Sequence, residues 1–354
     1  MSAVLTPHSR GRRVVEAVVG LGLAAVLLVW GLPRFGHTTW GAVWSILQTV
    51  PVPTAVMLVV VMITGLYCYT LTLTGSLPGL RHWQALIVNV AGSAVGNLLP
   101  GGGAVGLAAT YTICRTWGFS RRAISTSAIV SGVWNVLARI ALPIFAIVGL
   151  VVGTSADVPN GLIDTAVAAT ITGILILGTF VAVLASERAA LAVGNGVDRV
   201  LGRLFRLRSM SVKALVVDLR ARINDVVRHG WLKMTLGLGG YFGAYYVMFL
   251  ICMNTTGVHL HHGQLFAAYA IGRLATAVGV TPGGLGVTES VTVAALVAWG
   301  AGHPESVAGA VLFSVFTHVL EVPLGALGWL AWSLSPKVEV VDGTTLGQSS
   351  ETVG

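Results

Sequence analysis

Charged residues are scarce in this chain. Of its 354 residues only 10% are Asp, Glu, Lys or Arg, whereas a soluble globular domain carries about 25%. The mean hydropathy is +0.84, and 55% of the residues are hydrophobic. These values exclude an ordinary soluble enzyme and predict an integral membrane protein. Since one spanning helix takes about 20 apolar residues, we expect a single membrane domain and no large soluble one.

Cysteines and clusters of acidic residues are also few. Cys68, Cys114 and Cys252 lie far apart in apolar stretches, which argues against a disulfide framework or a cysteine metal site. The histidines at 259, 261 and 262 have no acidic or cysteine neighbour nearby in the chain, so we expect no metal and no cofactor. The loops show no carboxylate pair or activated nucleophile typical of an enzyme. Membrane topology explains the net charge of +8, so we expect no nucleic acid partner.

Apolar runs predict an all-α, multi-pass fold. Six simple spans are expected at about 14–33, 53–74, 123–152, 161–186, 231–255 and 305–334. Two further apolar stretches, 84–116 and 264–300, each contain two legs around a Pro-Gly-Gly break. These legs either cross the membrane fully or form re-entrant hairpins. In both cases the chain emerges on the side from which it entered.

Each break consists of residues that interrupt helices. Pro100 precedes Gly101, Gly102 and Gly103, and Pro282 precedes Gly283 and Gly284. Proline removes a backbone donor, and glycine adopts conformations that other residues avoid. Inside a bilayer, unpaired backbone groups are tolerated only within protein or beside a water-filled cavity. Broken helices at corresponding places in two halves of a membrane protein indicate a binding site near the midplane.

The positions of Lys and Arg predict the orientation in the membrane. With both termini in the cytoplasm, nearly all basic residues fall in cytoplasmic loops, including nine in 187–229, and the outside holds only Arg34. The first break is then entered from the cytoplasm and the second from the outside. Residues 53–152 and 231–334 are therefore predicted to be inverted-topology repeats in the cell membrane.

Two polar segments flank the predicted spans. The cytoplasmic connection 187–229 is basic, and its apolar residues from Val212 to Val227 share one helical face. It either binds anionic lipid on the leaflet surface or packs on the cytoplasmic end of the protein. We expect residues 1–335 to form the membrane domain and 336–354 to form a disordered polar tail.

Arg139 lies in the middle of a predicted span. A charge there costs at least about 2.5 kcal/mol, so it should face the interior and have a partner. One hypothesis is that Arg139 binds a lipid phosphate, which suits the geometry of a guanidinium group. The alternative is a structural ion pair with Glu289 or Glu321.

The second break has charged neighbours on both sides. Arg273 precedes it, and Glu289 follows in the first turn of a helix expected to begin near Val287. That positive helix end could bind an anion. Glu289 either satisfies the helix end or pairs with an arginine and exchanges protons. In the first break, the run from Gly101 to Gly103 could form a backbone nest for phosphate or permit a tight helix crossing.

Two further groups are candidates. His318 and Glu321 are three residues apart in an apolar helix, hence predicted on one face, as a proton relay or as a buried pair. Asn89, Ser93 and Asn97 recur at spacing four, as a polar cavity wall or as interhelical hydrogen bonds. The candidate head-group ligands are Asn97, Pro100, Gly101, Gly102, Gly103, Arg139, Arg273, Pro282, Gly283, Gly284, Gly286 and Glu289. The candidates for proton coupling are Glu289, His318 and Glu321.

The stretch Thr281-Pro282-Gly283-Gly284-Leu285-Gly286-Val287-Thr288-Glu289, with Gly300 after an apolar leg, resembles the signature of the lysylphosphatidylglycerol synthase transmembrane region, or flippase-like, family. The stretch from Asn97 to Gly103, followed by Gly118-Phe119-Ser120, is similar to that family's first motif. The resemblance covers roughly residues 50–334 and implies a bacterial or archaeal membrane domain. Its best-known members are thought to move aminoacylated phosphatidylglycerol between leaflets, and others are associated with polyprenyl-linked sugars or hopanoids.

Two features depart from the family pattern. Where the family commonly has an arginine after the second motif, this chain has Phe316-Thr317-His318. The large cytoplasmic aminoacyl transferase domain of two-domain members is absent from the sequence, so we expect no lysylphosphatidylglycerol synthesis.

The sequence thus predicts a translocator of an anionic lipid or lipid-linked glycan, with the head group in a polar cavity between two inverted broken hairpins. It is not expected to be an enzyme, and its oligomeric state is not predicted. Two alternatives are a non-transporting membrane anchor for a lipid-modifying enzyme and an intramembrane lipid-modifying enzyme.

Overall fold

The computed structural model describes residues 50–98, 102–153, 212–276 and 286–337, together with single positions at 41, 44, 45, 48, 171, 175 and 178. The predicted span 14–33, most of 161–186 and the tail beyond residue 337 lie outside the described residues. So do Pro100 and Gly101 of the first break and Pro282, Gly283 and Gly284 of the second.

The described residues form helices, and no strand occurs among them. The helices are α1 (Val52–Ser76), α2 (His82–Leu98), α3 (Gly102–Thr116), α4 (Arg121–Gly153), α5 (Val212–Thr255), α6 (His262–Ala275), α7 (Val287–Ala298), α8 (His303–Ser314) and α9 (Glu321–Leu334), with a π-helical turn (Val315–Val319) joining the last two.

Four helical stretches in the described part of the chain are long and apolar enough to cross a membrane. They are Val52–Ser76, Arg121–Ala146, Ile223–Thr255 and His303–Leu334. Each overlaps a span predicted from hydropathy. The first and last agree within two residues at both ends, whereas the second ends six residues before the predicted bound and the third begins eight residues before it. The fold class of an α-helical membrane protein is therefore confirmed.

The helices on either side of each break are shorter than these spans. Helices α2 and α3 have 17 and 15 residues, and α6 and α7 have 14 and 12. At about 1.5 Å per residue, even α2 extends only about 25 Å, less than the hydrocarbon thickness of about 30 Å. Helices α2 and α3 approach closely, because a Cβ atom on Gly106 would lie 2.7 Å from the Gly92 carbonyl oxygen.

Helices α1 and α5 pack against each other through glycines. Gly75 meets Gly230 backbone to backbone, and Gly65 lies under the ring of Tyr245. As the residue number increases along α1, the number of the residue that it contacts on α5 decreases, so the two helices are antiparallel. Small residues allow such close contact in a membrane, where the hydrophobic effect does not drive helices together.

Two further helix pairs join the two halves of the chain in a reciprocal way. Helix α9 packs on α2, where Gly325 and Gly328 face Ala94 and Val90. Helix α6 packs on α4. In each case the helix that precedes a break contacts the span that follows the other break.

One end of the helices carries an aromatic belt. The indole of Trp332 donates a hydrogen bond to Thr116 (2.9 Å), the rings of Trp83 and Trp117 are 5.7 Å apart, and the ammonium group of Lys337 lies 4.4 Å from the Trp332 ring. Tryptophan and basic residues concentrate at the membrane–water interface. We therefore expect this end, which also carries Arg81, to lie at the level of the lipid head groups.

The apolar face of the connection before α5 packs in part on the protein. Helix α5 runs unbroken from Val212 to Thr255. Ile223, which is buried, forms a cluster with Val130 and Met234, against which Val226 and Val227 pack. Of the two interpretations of this face, packing on the protein applies to 223–227. Binding of anionic lipid by 187–229 stays a prediction.

Candidate functional site

A cavity of about 700 Å³ lies among α1, α2, α3 and α4, with Thr276 at its inner end. It extends from Leu77 and Leu80, close to the aromatic belt, to Arg139 in the middle of α4. Its volume is within the range of about 300–1,000 Å³ that small-molecule sites occupy.

Two rows of polar side chains form opposite walls of the cavity. On α2 the row consists of Asn89, Ser93 and Asn97, which confirms that these three share a cavity wall. On α4 the row consists of Ser127, Ser131, Asn135 and Arg139. Residues four apart lie on one face of an α-helix, so each helix presents its polar face to the cavity and leaves its apolar face for lipid or protein.

Interhelical hydrogen bonds also involve the α2 row. The amide nitrogen of Asn89 donates to the Leu66 carbonyl (3.4 Å), and that of Asn97 donates to Glu321 (3.0 Å). The cavity wall and the interhelical bonds were alternative interpretations of this row. The structure shows both, since an asparagine can donate from its nitrogen while its oxygen stays available.

Arg139 has a neutral partner. Its guanidinium group donates a hydrogen bond to the hydroxyl of Thr276, which in turn donates to the carbonyl of Arg273 (2.6 Å). In the part of the chain that the structure describes, Arg139 forms no ion pair with a carboxylate. The alternative, a structural ion pair with Glu289 or Glu321, is thus not found among the described residues, where these carboxylates accept hydrogen bonds from other groups. A guanidinium has five N–H donors, so Arg139 retains capacity for an anionic ligand.

The cavity reaches the surface between α3 and α4. Leu107 and Gly132 line it and are also exposed. Gly103, at the beginning of α3, lines it as well, and a Cβ atom there would meet no atom within 4 Å. The first turn of α3 contains no acidic residue.

Glu321 lies at the contact of the two halves. It accepts hydrogen bonds from the Tyr245 hydroxyl (2.7 Å) and from Asn97 (3.0 Å), and it is 5% exposed. The Tyr245 ring stacks near Tyr241, which contacts Tyr69 on α1. Two hydrogen bonds and two ring contacts thus connect α1, α2, α5 and α9.

Arg273 lies behind the cavity, not in its wall. It is 7% exposed, and its guanidinium carbon lies 5.1 Å from the centre of the Phe313 ring and 5.7 Å from that of Tyr269. It is within electrostatic range of both Arg139 and Glu321. These contacts favour a cation–π role, and binding of a head group by Arg273 stays a prediction.

Glu289 caps the helix after the second break. Helix α7 begins at Val287, as predicted, and Gly286 before it has a φ of 83°, a conformation that favours glycine. The carboxylate of Glu289 accepts a hydrogen bond from the Gly286 N–H (2.6 Å) and another from Ser314. Of the two interpretations of Glu289, satisfying the helix end is the one that the contacts support. Unlike the beginning of α3, this helix end already has a negative charge.

The shared face and the proton relay predicted for His318 and Glu321 stay predictions. His318 lies in the π-helical turn, and its Nδ1 contacts the hydroxyls of Thr317 (2.9 Å) and Ser314 (3.3 Å). Ser314 also donates to Glu289, so it connects His318 with that carboxylate.

Several residues of the site were missed by the sequence analysis. Thr276, Tyr69, Asn135 and Tyr245 are among them. The spacing-four row that ends at Arg139 was a usable signal, as was the pair of tyrosines four apart on α5. The partner of Arg139 had no local signal, because Thr276 is 137 residues away in the chain.

Asn97 and Gly103 of the first motif line this cavity, and a family comparison covers both motifs. The model of the Lysylphosphatidylglycerol synthase TM region matches residues 17–325. The chain belongs to this family. Members of the Lysylphosphatidylglycerol synthase TM region family are membrane proteins, and with four spanning helices among the described residues this one is multi-pass and related to lipid modification or transport. No curated protein matches the chain.

Proposed function

We propose that the protein moves an anionic lipid or a lipid-linked glycan between the leaflets of the cell membrane. The observation that carries the proposal is Arg139, a cation within a span that faces a cavity of about 700 Å³ without a carboxylate partner in the described structure. An intramembrane charge is costly and is kept where it serves a function. Guanidinium is well suited to phosphate.

In this proposal the head group enters through the opening between α3 and α4. Its phosphate binds Arg139 and the N-terminal end of α3, while the acyl or prenyl tails stay in lipid. Asn97 and the two breaks complete the head-group site. No covalent step is assigned to the protein.

The packing of the halves supports alternating access. The antiparallel pair α1 and α5, and the reciprocal contacts of α2 with α9 and of α6 with α4, fit two inverted repeats around one site. The short helices beside each break favour re-entrant hairpins. The bond between Arg139 and Thr276 joins the cavity to the end of α6. A phosphate that replaced this bond would free the second half to move.

Leaflet exchange of a fluorescent anionic phospholipid in liposomes, followed by chemical quenching of the outer leaflet, tests the proposal. We expect Arg139→Ala to slow exchange about 10- to 100-fold, because the variant loses one or two charge-assisted hydrogen bonds to the phosphate. Arg81→Ala, which removes an equal charge from the exposed end of the cavity, should change the rate little.

Absence of exchange by the wild-type protein for every anionic lipid tried would contradict the proposal. If Arg139→Ala instead preserved the cellular phenotype and only changes in 187–229 abolished it, the protein would be a membrane anchor for another enzyme. Size-exclusion chromatography and helical circular dichroism show whether each variant is folded.

A further inference from the structure

The walls of the cavity are polar but nearly uncharged. Nine neutral side chains with hydroxyl or amide groups line it, and these are Tyr69, Asn89, Ser93, Asn97, Thr110, Ser127, Ser131, Asn135 and Thr276. Arg139 is the one charged residue among the described lining residues. The adjoining segments 99–101 and 277–285 contain no Asp or Glu, so neither can supply a carboxylate.

Part of this hydrogen-bonding capacity is unused. Within the described ranges, the hydroxyls of Ser93 and Thr110 have no hydrogen-bond partner, although both line the cavity. Asn89 and Asn135 donate from their amide nitrogens to groups in the helices, which leaves their carbonyl oxygens as acceptors. A ligand that both donates and accepts many hydrogen bonds would satisfy these groups.

We propose that the cavity selects a head group that is uncharged and rich in hydroxyls, joined to its lipid by a single phosphate. The inference rests on the proposed function of the same cavity and narrows its substrate. One guanidinium group matches one phosphate, and the neutral walls match sugar or polyol hydroxyls. The cavity volume of about 700 Å³ leaves room for such a group beside the phosphate.

The same walls exclude an amine-bearing head group. An ammonium group in this cavity would lie near Arg139, with no carboxylate among the described lining residues to pair with it, and an unpaired charge at membrane depth is unfavourable. Repulsion of the wrong ligand is a common source of specificity. The lysyl head group in the family's name is therefore a poor fit to this chain.

The hydroxyl-rich phosphate could be carried by diacylglycerol or by a polyprenol, since the opening between α3 and α4 admits either tail. Liposome exchange would therefore use two matching probes, fluorescent phosphatidylinositol and a fluorescent hexosyl phosphoryl polyprenol. Two contrasting probes are phosphatidic acid, which has the phosphate without the hydroxyls, and lysylphosphatidylglycerol, which has an ammonium group.

We expect at least one hydroxyl-rich probe to exchange about tenfold faster than phosphatidic acid, a difference typical of one or two ligand hydrogen bonds. It should also exchange faster than lysylphosphatidylglycerol, whose ammonium group would be unpaired. The double variant Ser93→Ala, Thr110→Val should remove most of the preference over phosphatidic acid while leaving phosphatidic acid itself little affected. Thr112→Val is the matched control, because Thr112 is exposed on the same helix and bonds to the carbonyl of Ala108.

Equal rates for phosphatidylinositol, the polyprenol probe and lysylphosphatidylglycerol would overturn the inference and leave translocation standing. An equal loss for all probes in the double variant would also overturn it. Thermal-shift measurements in detergent with the same four lipids give a readout without transport. Selective stabilisation by a hydroxyl-rich lipid without leaflet exchange would support the head-group inference and contradict translocation.

Discussion

The two arginines at membrane depth differ in their surroundings, and this difference separates their roles. Arg139 faces a polar cavity and shares one hydrogen bond with Thr276, whereas Arg273 is covered by the rings of Tyr269 and Phe313. Arg139 can exchange its hydrogen bond with the neutral Thr276 hydroxyl for one with an anion. Arg273 lies within electrostatic range of the buried carboxyl group of Glu321.

Also at the residue scale, the capping role of Glu289 predicts a stability effect. Glu289→Ala should lower the free energy of unfolding by about 1 kcal/mol, since the Gly286 N–H and the Ser314 hydroxyl both lose their acceptor. Glu289→Gln should lose less, because it keeps one acceptor oxygen. Thermal unfolding in detergent measures both changes.

The pair of variants also tests proton coupling by Glu289. A glutamine cannot carry a proton, so coupling through Glu289 predicts that Glu289→Gln abolishes any pH dependence of leaflet exchange at unchanged stability. If capping is the main role of Glu289, the pH profile of Glu289→Gln should match that of the wild type. A flat profile in this variant alone would show that coupling, not capping, dominates.

At the scale of helices, the contact of α1 with α5 depends on glycines, which have no side chain. A Cβ atom on Gly230 would collide with the backbone of Gly75, whereas one on Gly239, in the same helix, would meet no atom within 4 Å. Close backbone contact of this kind is typical of helix pairs in membranes.

We therefore expect Gly230→Ala to lower the free energy of unfolding by about 1–3 kcal/mol, the usual cost of overpacking. Gly239→Ala should be neutral or stabilise by up to about 1 kcal/mol, since alanine favours a helix more than glycine does. Both can be compared by thermal unfolding of the purified chain. Equal destabilisation by the two variants would mean that helix propensity, not the contact, governs the effect.

Across the whole molecule, the reciprocal contacts and the aromatic belt support one orientation in the membrane. The belt end carries Arg81 and Lys337, while the connections 256–261 and 299–302 at the opposite end contain neither Lys nor Arg. By the rule that basic residues stay inside, the belt end would face the cytoplasm.

Labelling of single cysteines tests this orientation. In a Cys68→Ala background, His259→Cys should react in intact cells with a maleimide that does not cross the membrane. Ser120→Cys, in the connection between α3 and α4, should react only after the membrane is opened. Cys114 and Cys252 are buried and should contribute little background. The reverse pattern would invert the topology and place the cavity opening near the outer leaflet.

The sequence by itself determined the membrane class, the four described spans, the beginning of the helix at Val287 and the polar row of α2. These features follow from hydropathy, helical periodicity and helix-breaking residues, all of which are local. That Glu289 caps this helix was one of two interpretations that the sequence left open. For Arg139 the sequence established that a partner was needed, because a charge at this depth is costly.

Only the tertiary structure decided which partner each polar group has. Arg139 is hydrogen bonded to Thr276, Glu321 accepts hydrogen bonds from Tyr245 and Asn97, and Arg273 lies against aromatic rings. These contacts link residues up to 224 positions apart. Helix packing brings such residues together, and no sequence pattern within one helix specifies which face of another helix it will contact.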